Sequence, residues 1–504
     1  MSTSQRPFRH VERFRFLEVC VIYALLWLAG TARRLPFWYD ESLTVRLAKL
    51  DSVGELWRAL TSGFEFNPPL IYLLTKAALL TPGSELFTAR LPGLAGYALL
   101  SMTLFEFLRR RLGGWLELAS VVLLPLATYT VLYSMEARAY MPLLGVSGCA
   151  LVSWQAAADG RSKFAPIGLA VSVALALLLH VWAILLLLAL LVGETIAFLQ
   201  SQRIRWPIVA ALAAAVPVIA IYPTLLRASG TVIFGGPAYA PSLDKLIGAF
   251  RVDVPRPRVV AGVLVAAALA GWWARRRGGR KIEHAPGLNA PEFGVILSLL
   301  LSPIVPYVSA SLSEGAFMTR YALFALPAIV TLVGVAAFYL GGQRRLASEA
   351  AAGVAVLGLF VYLPSRMPIV VERLAIIDSL SSLDGKLDPS VPVRLVNPVD
   401  VTAFDEQADE ALRSRAAFVA DPDLALKYTG TNGIDLGYVR GEPYLKLRVE
   451  RFSYDALTSH PSLYLAGKWQ SLSWLPQRLK DDGWTIEEIG GTRQAPVFEA
   501  RRTR

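Results

Sequence analysis

The sequence predicts an all-α polytopic membrane protein with about eleven transmembrane helices, followed by a small C-terminal α/β domain. Three observations support this class. First, 54% of the 504 residues are hydrophobic and 18% are charged, a composition too apolar for an ordinary soluble globule. Second, residues 1–365 contain many apolar stretches that approach the roughly 20 helical residues needed to cross the hydrocarbon core. Third, residues 366–504 contain no such stretch.

The apolar stretches set the approximate positions of the membrane-spanning helices. The first follows a basic segment, as in a signal peptide, but "GTARRLPFW" offers a poor small-residue cleavage site and therefore predicts a retained anchor. The stretch 164–199 is long enough for one overlong helix or for two short helices that meet at His180. With two helices there, the predicted spans are 16–32, 87–108, 115–133, 139–157, 164–179, 181–199, 207–226, 258–274, 291–312, 320–340 and 350–365.

The distribution of Lys and Arg decides between one helix and two in 164–199, because short cytoplasmic loops are enriched in these residues. A hairpin at His180 places all six basic clusters on one side of the membrane, whereas a single span would place the last three outside. The N-terminus is then cytoplasmic, and the chain after Ser365 lies outside. The clusters are Arg6 to Arg15, Arg109 to Arg111, Arg161 with Lys163, Arg203 with Arg205, Arg275 to Lys281, and Arg344 with Arg345.

Residues 366–504 have the patterns of a mixed α/β domain. "VPVRLVN", "AAFVAD" and "WTIEEIG" read as strands, and "DEALRSR" and "LPQRLKDDG" read as helices. This segment carries 18 Lys and Arg against 20 Asp and Glu, so the net charge of +11 arises in residues 1–365. The basic character therefore reflects membrane topology and not nucleic-acid binding. The only two cysteines, Cys20 and Cys149, lie in predicted spans, so a disulfide framework is not expected in the outer domain.

Two adjacent carboxylates, Asp40 and Glu41, follow the first span in "PFWYDESLTVRL". With the N-terminus inside, they lie at the start of an outer loop of residues 36–86. Apolar residues recur in this loop at helical spacing, which predicts amphipathic helices along the membrane surface. An acidic pair at a helix start is commonly there because it complements the helix dipole. The alternative is a catalytic role at the membrane boundary.

Six motifs in order favour the catalytic alternative: "WYDES", "NPPLIYLL", "RLPGLAGYAL", "YSMEARAYMPL", "LLLHVWAILLL" and "FMTRYALFALPAI". Over residues 35–340 they resemble the polyprenyl-phosphate-sugar-dependent glycosyltransferases of the GT-C fold. Within that class they are similar to bacterial relatives of protein O-mannosyltransferases and of lipid A aminoarabinose transferases. The resemblance implies a GT-C membrane domain at 1–365 in the bacterial cytoplasmic (inner) membrane. The domain at 366–504 lies outside the resemblance.

The resemblance also implies roles for residues. Asp40 matches the family's outer-loop aspartate, which is the expected base for the acceptor hydroxyl, and Glu41 would orient it. Glu136, Arg138 and Tyr140, in a short outward turn, match residues that bind the donor and acceptor. His180, Arg320 and Tyr321 are expected to bind the donor phosphate or a substrate hydroxyl, and an arginine can grip a phosphate with two hydrogen bonds. The alternative for the tyrosines, His180 and Arg320 is anchoring at the membrane interface.

The implied partners are a polyprenyl-phosphate-linked sugar, an envelope acceptor and the lipid bilayer. No resident cofactor is implied, and the sequence has no metal-ligand spacing such as Cys-x-x-Cys or His-Glu-x-x-His. Asn67 stands where many relatives carry His or Asp before two prolines. With Asn at this position, two questions stay open: whether residue 67 binds the acceptor, and whether the protein binds a divalent cation.

Two other classes have similar composition. A secondary transporter should show matching halves and charged residues at the bilayer midplane. Here the predicted spans are nearly free of charge at their centres, and the charges collect at the outer boundary. An envelope assembly protein that works through its outer domain is not distinguished by sequence, but it would not need Asp40.

Overall fold

The computed structural model describes residues 6–228, 230, 232–233, 236–282, 285–313, 315–365, 375–383, 385–453, 459–469 and 472–502. Within this part of the chain, a helical bundle extends to Tyr362 and is followed by a unit that contains all the described strands. The predicted domain boundary at 365 and 366 adjoins residues 366–374, which lie outside the described residues.

Each of the eleven predicted spans corresponds to a helix, a run of helices or a bent pair. By length and composition, seven spans among the described residues can cross a membrane, and two more are bent pairs. The remaining two, Ala165–Leu179 and Ala325–Leu340, are shorter apolar helices. The helices of these spans are α1 (Arg6–Ala32), α5 and α6 (Glu85–Thr88 and Leu91–Arg109), α7 and α8 (Leu116–Val122 and Thr128–Ser134), α9 (Tyr140–Ala158), α10 (Ala165–Leu179), α11 (Ile184–Ser201), α12 and α13 (Trp206–Ala215 and Tyr222–Ala228), α16 (Pro257–Arg276), α17 and α18 (Ala290–Leu301 and Ile304–Ser313), α19 (Ala325–Leu340) and α20 (Arg345–Tyr362).

Short helices connect these spans. They are α2 (Tyr39–Ala48), α3 (Val53–Thr61) and α4 (Leu70–Leu79) in the loop 36–86, and α14 (Gly236–Tyr239) and α15 (Leu243–Asp253) before α16. The loop is therefore helical, as predicted. However, α2 does not lie along a surface, since most of its side chains are buried.

Three breaks between consecutive helices of the bundle can be attributed to particular residues. Helices α7 and α8 meet at 70° after a 3-10 turn that contains Pro125, because proline cannot donate the next helical hydrogen bond. Helices α17 and α18 meet at 43° near Pro303. The predicted split at His180 is confirmed: α10 ends at Leu179, and the extended backbone of His180 leads through a 3-10 turn into α11.

Glycines allow α6 and α9 to pack with their backbones in close contact. A Cβ on Gly96 would come within 2.5 Å of the Met141 backbone, and one on Gly145 within 2.6 Å of the Gly96 carbonyl oxygen. Small residues at such positions are typical of helix pairs in membranes. The close packing continues to the turn that leads into α9, because a Cβ on Gly93, three residues after Arg90 at the start of α6, would come within 3.0 Å of the Glu136 carbonyl oxygen.

The C-terminal unit contains a six-stranded mixed sheet, whose strands lie side by side in the order β3 (Val449–Arg451), β2 (Ala416–Ala420), β1 (Val393–Leu395), β4 (Ser462–Ala466), β6 (Pro496–Arg502) and β5 (Trp484–Gly491). The pairs of β1 with β2, β1 with β4 and β2 with β3 are parallel, whereas β6 is antiparallel to both β4 and β5. The predicted α/β class of this domain is confirmed. Its elements are α21 (Ala375–Ser382), β1 (Val393–Leu395), α22 (Val401–Gln407), α23 (Glu410–Arg415), β2 (Ala416–Ala420), α24 (Pro422–Thr429), α25 (Gly433–Leu445), β3 (Val449–Arg451), β4 (Ser462–Ala466), α26 (Leu475–Asp481), β5 (Trp484–Gly491) and β6 (Pro496–Arg502).

Candidate functional site

A cavity of about 290 Å³ lies where α2, the chain after α3, the 3-10 turn Thr319–Ala322 and the C-terminal unit meet. This volume is near the lower end of the range for small-molecule sites. The described residues that line the cavity are Trp38, Tyr39, Asp40, Leu43, Phe64, Glu65, Phe66, Arg138, Tyr239, Ala316, Met318, Arg320, Tyr321, Val399, Gly433, Ile434 and Leu472.

Asp40, in the first turn of α2, is 9% exposed and faces two arginines. Arg320 Nη1 donates to its Oδ2 at 3.1 Å. Arg138 Nη2 lies 3.9 Å from the same oxygen, and Arg138 Nη1 donates to the Asp40 carbonyl oxygen at 3.2 Å. The sequence-predicted base and two of the predicted phosphate-binding residues are thus brought together in one cavity.

A second carboxylate, Glu65, completes this charged cluster. Arg138 Nη1 lies 3.4 Å from Glu65 Oε2 and donates to Thr44 Oγ1 at 3.0 Å. Burial disfavours the charged guanidinium, yet the carboxylates of Asp40 and Glu65 outweigh it and raise the pKa of Arg138 well above its usual value. Arg138 therefore stays cationic although it is only 6% exposed.

Asn67 binds Glu65 and does not line the cavity. Its backbone N and Nδ2 donate to Glu65 Oε1 at 3.3 and 2.9 Å. These bonds occupy one carboxylate oxygen, so the other oxygen is directed toward Arg138. The structure thus gives Asn67 a supporting position behind Glu65.

Glu41 points away from Asp40 into a fully buried ion pair. Arg90 donates from Nε to Glu41 Oε1 at 2.7 Å and from Nη2 to Oε2 at 2.9 Å, and both side chains are 0% exposed. The Ala137 amide also donates to Oε1, at 3.0 Å. Arg90 in turn donates to the Leu35 carbonyl oxygen at 2.6 Å. Glu41 therefore joins α2, the end of α1, the start of α6 and the turn before α9.

The other predicted binding residues are divided between the cavity and the layer behind it. Tyr321 lines the cavity, and its ring lies 5.1 Å from that of Trp182. Tyr140 and His180 are buried behind the lining, with ring centroids 5.5 Å apart. Glu136 is 1% exposed and is not among the described lining residues.

Sequence reasoning did not assign a role to several lining residues. Glu65 carries no periodic signal in "GFEFNPPL" and becomes significant only through its contact with Arg138. Tyr239 lies at the end of α14, and Gly433 and Ile434 start α25 in the C-terminal unit. No local pattern relates these residues to Asp40, because only the fold brings them together.

The cavity has a charged part and an apolar part. Two carboxylates and two guanidinium groups balance each other in charge, so an entering anion must compete with Asp40 or Glu65 for a guanidinium group. The aromatic side chains of Trp38, Tyr39, Phe64, Phe66 and Tyr239 form much of the remaining wall. Within the described residues, no group of three His, Cys, Asp or Glu side chains is placed to hold a metal ion.

Comparison with solved structures shows the fold. The chain superposes on ArnT from Cupriavidus metallidurans bound to undecaprenyl phosphate with a TM-score of 0.56 and 14% identity, over 96% of this chain and 98% of that chain. The chain has the fold of ArnT. For ArnT in the apo state the TM-score is 0.57 and the identity 15%, with the same coverage.

The similarity to ArnT extends over both the helical bundle and the C-terminal unit, since it covers 96% of the chain. The GT-C fold expected from the sequence motifs is thereby confirmed. No protein-family model and no curated protein sequence matches the chain.

Proposed function

We propose that this protein is an integral-membrane inverting glycosyltransferase. It transfers a sugar from a polyprenyl-phosphate donor to a hydroxyl of an envelope lipid, polysaccharide or protein on the extracytoplasmic face. The observation that carries this proposal is the single cavity in which Arg138 and Arg320 flank the Asp40 carboxylate. The fold supports it, because ArnT, which has the same fold, has been crystallised with undecaprenyl phosphate.

The proposed reaction needs a base on one side of the anomeric carbon and positive charge on the other. Asp40 accepts the proton of the acceptor hydroxyl while the oxygen of that hydroxyl forms a bond to the anomeric carbon. The bond from that carbon to the phosphate oxygen breaks, and the electron pair leaves with the polyprenyl phosphate. Arg138 and Arg320 hold the phosphate, whose negative charge increases as it leaves.

The hydrogen bond from Arg320 to Asp40 suggests an order of binding. Arg320 occupies Oδ2, one of the two oxygens that can accept the proton. A donor phosphate competes with the carboxylate for the same guanidinium. We therefore expect donor binding to draw Arg320 from Asp40 and to free Oδ2 for the acceptor hydroxyl.

Contacts at the other end of the bundle support the proposed orientation in the membrane. Four of the six basic clusters are connected in pairs, either by direct contact or through a shared partner residue. Arg111 bonds Asp159, beside the cluster of Arg161, at 2.9 Å. Lys281 pairs with Arg344 as an isolated β-bridge, and the Gly287 amide donates to the Arg111 carbonyl oxygen. A one-sided basic end is what the positive-inside rule expects of the cytoplasmic face.

The direct test is transfer of labelled sugar from a polyprenyl-phosphate donor by the purified protein in detergent, with a membrane extract as the source of acceptor. Mass spectrometry of envelope lipids and glycans, with and without the protein, identifies the acceptor. We expect a labelled product with the wild-type protein that is lost with Asp40→Asn. An unchanged envelope composition together with no sugar transfer from any polyprenyl-phosphate donor would overturn the proposal.

A further inference from the structure

Helix α2 carries Asp40, and its opposite side is held by the C-terminal unit. Arg46 Nη2 lies 2.6 Å from Asp405 Oδ2 and 3.8 Å from Glu406 Oε1, both at the end of α22. Arg46 Nη1 also donates to the Leu445 carbonyl oxygen at 2.7 Å. Ser42 donates to Glu406 Oε1. These contacts connect positions more than 350 residues apart in the sequence.

The contacts fall on one stripe of α2. Tyr39, Ser42 and Arg46 are spaced three and four residues apart, so they lie on one helix face. Tyr39 extends this face, because its ring packs edge-on against Tyr438 of α25 at 5.7 Å. Asp40 projects from a different side of the helix, toward Arg138 and Arg320.

We infer that the C-terminal unit positions the catalytic carboxylate through Arg46, and this inference rests on the proposed function. The membrane bundle fixes α2 through Glu41 and Asp40, but a helix of ten residues held on one side can still rotate or tilt. The bonds of Arg46 restrict that motion from the other side. The Arg46 and Asp405 side chains are 18% and 20% exposed, so solvent screens their attraction less than that of a surface pair.

A catalytic group must be placed within about 1 Å of its productive position, since larger displacements cost roughly a hundredfold in rate. Arg46 therefore acts as a positioning residue and not as a catalytic one, because it does not line the cavity. Loss of its contacts should lower kcat and leave the KM for the donor unchanged, since Arg138 and Arg320 remain in place.

The experiment compares wild type, Arg46→Gln, Asp405→Asn and the charge-exchanged pair Arg46→Glu with Asp405→Arg. Arg58, an exposed arginine on the neighbouring helix α3, supplies the control Arg58→Gln. We expect kcat to fall about tenfold or more in both single variants. The KM for the donor should stay the same, the exchanged pair should recover part of kcat, and the control should match wild type.

Hydrogen–deuterium exchange gives a readout that does not depend on transferase activity. The amides of residues 39–48 should exchange faster in Arg46→Gln than in wild type and the control. Unchanged exchange in α2 overturns the positioning role even where sugar transfer is observed. Conversely, if α2 exchanges faster in Arg46→Gln but the wild-type protein transfers no sugar, the mechanical role of Arg46 stands and the proposed function is overturned.

An independent observation concerns a cavity of about 510 Å³ at the basic end of the bundle. It is lined by Glu12 and Arg13 of α1, Gly114 and Trp115 before α7, Arg280 to Ile282 after α16, and Arg345 of α20. A second cavity of about 420 Å³ shares Arg280 and Arg345 with it. Four separate parts of the chain thus supply one basic recess.

Part of this positive charge is already neutralised within the protein. Arg13 pairs with Glu117, and Arg345 Nε bonds Glu349 Oε1 at 2.7 Å. In the described part of the chain, Arg280 and Lys281 are not within ion-pair distance of any carboxylate. These two exposed cations are therefore available to an external anion.

We propose that this recess binds the phosphate of an anionic membrane phospholipid. Basic pockets between membrane helices on the cytoplasmic side are suited to such headgroups. The surface beside the recess favours a lipid over a free phosphate ion. Phe16 of α1 is 53% exposed and packs edge-on against Trp115 at 5.3 Å, and exposed Leu346 lines the second cavity. Acyl chains can continue along these apolar side chains from a headgroup in the recess.

Native mass spectrometry of the full chain in detergent tests this site with cardiolipin, phosphatidylglycerol and, as the zwitterionic comparison without net charge, phosphatidylcholine. The double variant Arg280→Gln with Lys281→Gln removes the two available charges. The matched control, Arg161→Gln with Lys163→Gln, removes two charges from another basic cluster of exposed residues.

We expect wild type and the control to retain the anionic lipids more strongly than phosphatidylcholine. The variant at Arg280 and Lys281 should bind them about thirtyfold more weakly. Equal lipid binding by that variant and the control would overturn the site. Displacement of the lipid by millimolar inorganic phosphate would also overturn the lipid assignment, since it would identify a site for the free ion.

Discussion

Arg320 donates a 3.1 Å hydrogen bond to the carboxylate of Asp40, although the two residues are 280 positions apart. Arg320 starts the chain's entry into α19, whereas Asp40 starts a helix that follows α1. The pair therefore connects an early and a late part of the sequence at the cavity. It also places a cation that suits a phosphate directly beside a carboxylate that suits a hydroxyl proton.

The first prediction is that Asp40→Asn abolishes most of the sugar transfer while donor binding persists. Asparagine keeps the shape of the side chain but is a far weaker proton acceptor. General-base catalysis is typically worth about 10² to 10⁴-fold in rate, so kcat should fall by that order. Asp51→Asn, at an exposed position in the same loop, is the control and should behave as wild type. Wild-type kcat in Asp40→Asn, with normal expression, would remove the catalytic assignment.

The second prediction concerns the two arginines of the cavity. In Arg138→Lys and Arg320→Lys the charge remains, but the paired donors of the planar guanidinium are lost, so the phosphate is held less well. We expect the KM for the donor to rise about tenfold or more in each variant, as measured in the transfer assay. Arg58→Lys supplies the control outside the cavity. An unchanged KM in both cavity variants would show that these arginines do not hold the donor.

The third prediction separates Glu41 from Asp40. Removing one partner of a buried ion pair typically costs about 3–5 kcal/mol. Glu41→Gln should therefore lower thermal stability strongly, whereas the protein that remains folded should lose less activity than Asp40→Asn. Arg90→Gln should give a similar loss of stability, and the two losses should not add in the double variant, because both break the same pair. Full stability of Glu41→Gln in a thermal unfolding assay would contradict the structural role.

The sequence predicted the positions of the membrane helices well, because lipid requires long apolar helices and leaves few alternatives. It also predicted the break at His180, although only through the distribution of Lys and Arg. It did not predict the direction of the Glu41 side chain. Adjacent residues on a helix point about 100° apart, and the partner that decides between them, Arg90, is 49 positions away.

The same limit applies to the C-terminal unit. Its strands and helices were predictable from local alternation, but its part in the cavity was not. Gly433 and Ile434 line the same cavity as Asp40 because α25 and α22 pack beside α2, and this depends on long-range contacts such as that of Arg46 with Asp405. A site whose wall comes from two domains is not marked by a local pattern in the sequence of either domain.

The fourth prediction is a pH dependence of stability in the C-terminal unit. Burial raises the pKa of the Asp435 carboxyl to about 7, although hydrogen bonds from Trp474 Nε1 and the Asp421 amide act in the opposite direction. The folded state therefore holds this proton more tightly than the unfolded state does. The contribution of this carboxyl group to the free energy of unfolding is therefore fully present below the ordinary pKa of Asp, near 4. It is lost as the pH rises to about 7.

Asp435→Asn removes this titration. Between about pH 5 and pH 8 the wild-type protein should lose roughly 3 kcal/mol more stability than the variant. Thermal unfolding of the full chain, followed by the fluorescence of Trp474 and the other tryptophans, measures the difference. Asp423→Asn, at an exposed position on α24, should keep the wild-type dependence. The same pH slope in Asp435→Asn and wild type would assign the dependence to other groups.

The last prediction is that the C-terminal unit lies outside the cytoplasmic membrane. In a protein without its two native cysteines, Ser382→Cys and Ser390→Cys should react with a membrane-impermeant thiol reagent in intact spheroplasts. Both positions are exposed. A cysteine at Thr431 would not be a suitable labelling site, because Thr431 is 4% exposed and its hydroxyl donates to the Ile233 carbonyl oxygen at 2.7 Å. The control, Ser162→Cys, lies in an exposed basic segment and should react only after lysis.

This labelling pattern decides more than orientation, because the Asp40 cavity includes residues of the C-terminal unit in its wall. Whichever face holds that unit also holds the cavity. If Ser162→Cys reacts in intact spheroplasts while Ser382→Cys and Ser390→Cys are protected, Asp40, Arg138 and Arg320 face the cytoplasm. An extracytoplasmic envelope acceptor would then have no access to the base, and the proposed reaction would have to use a cytoplasmic hydroxyl instead.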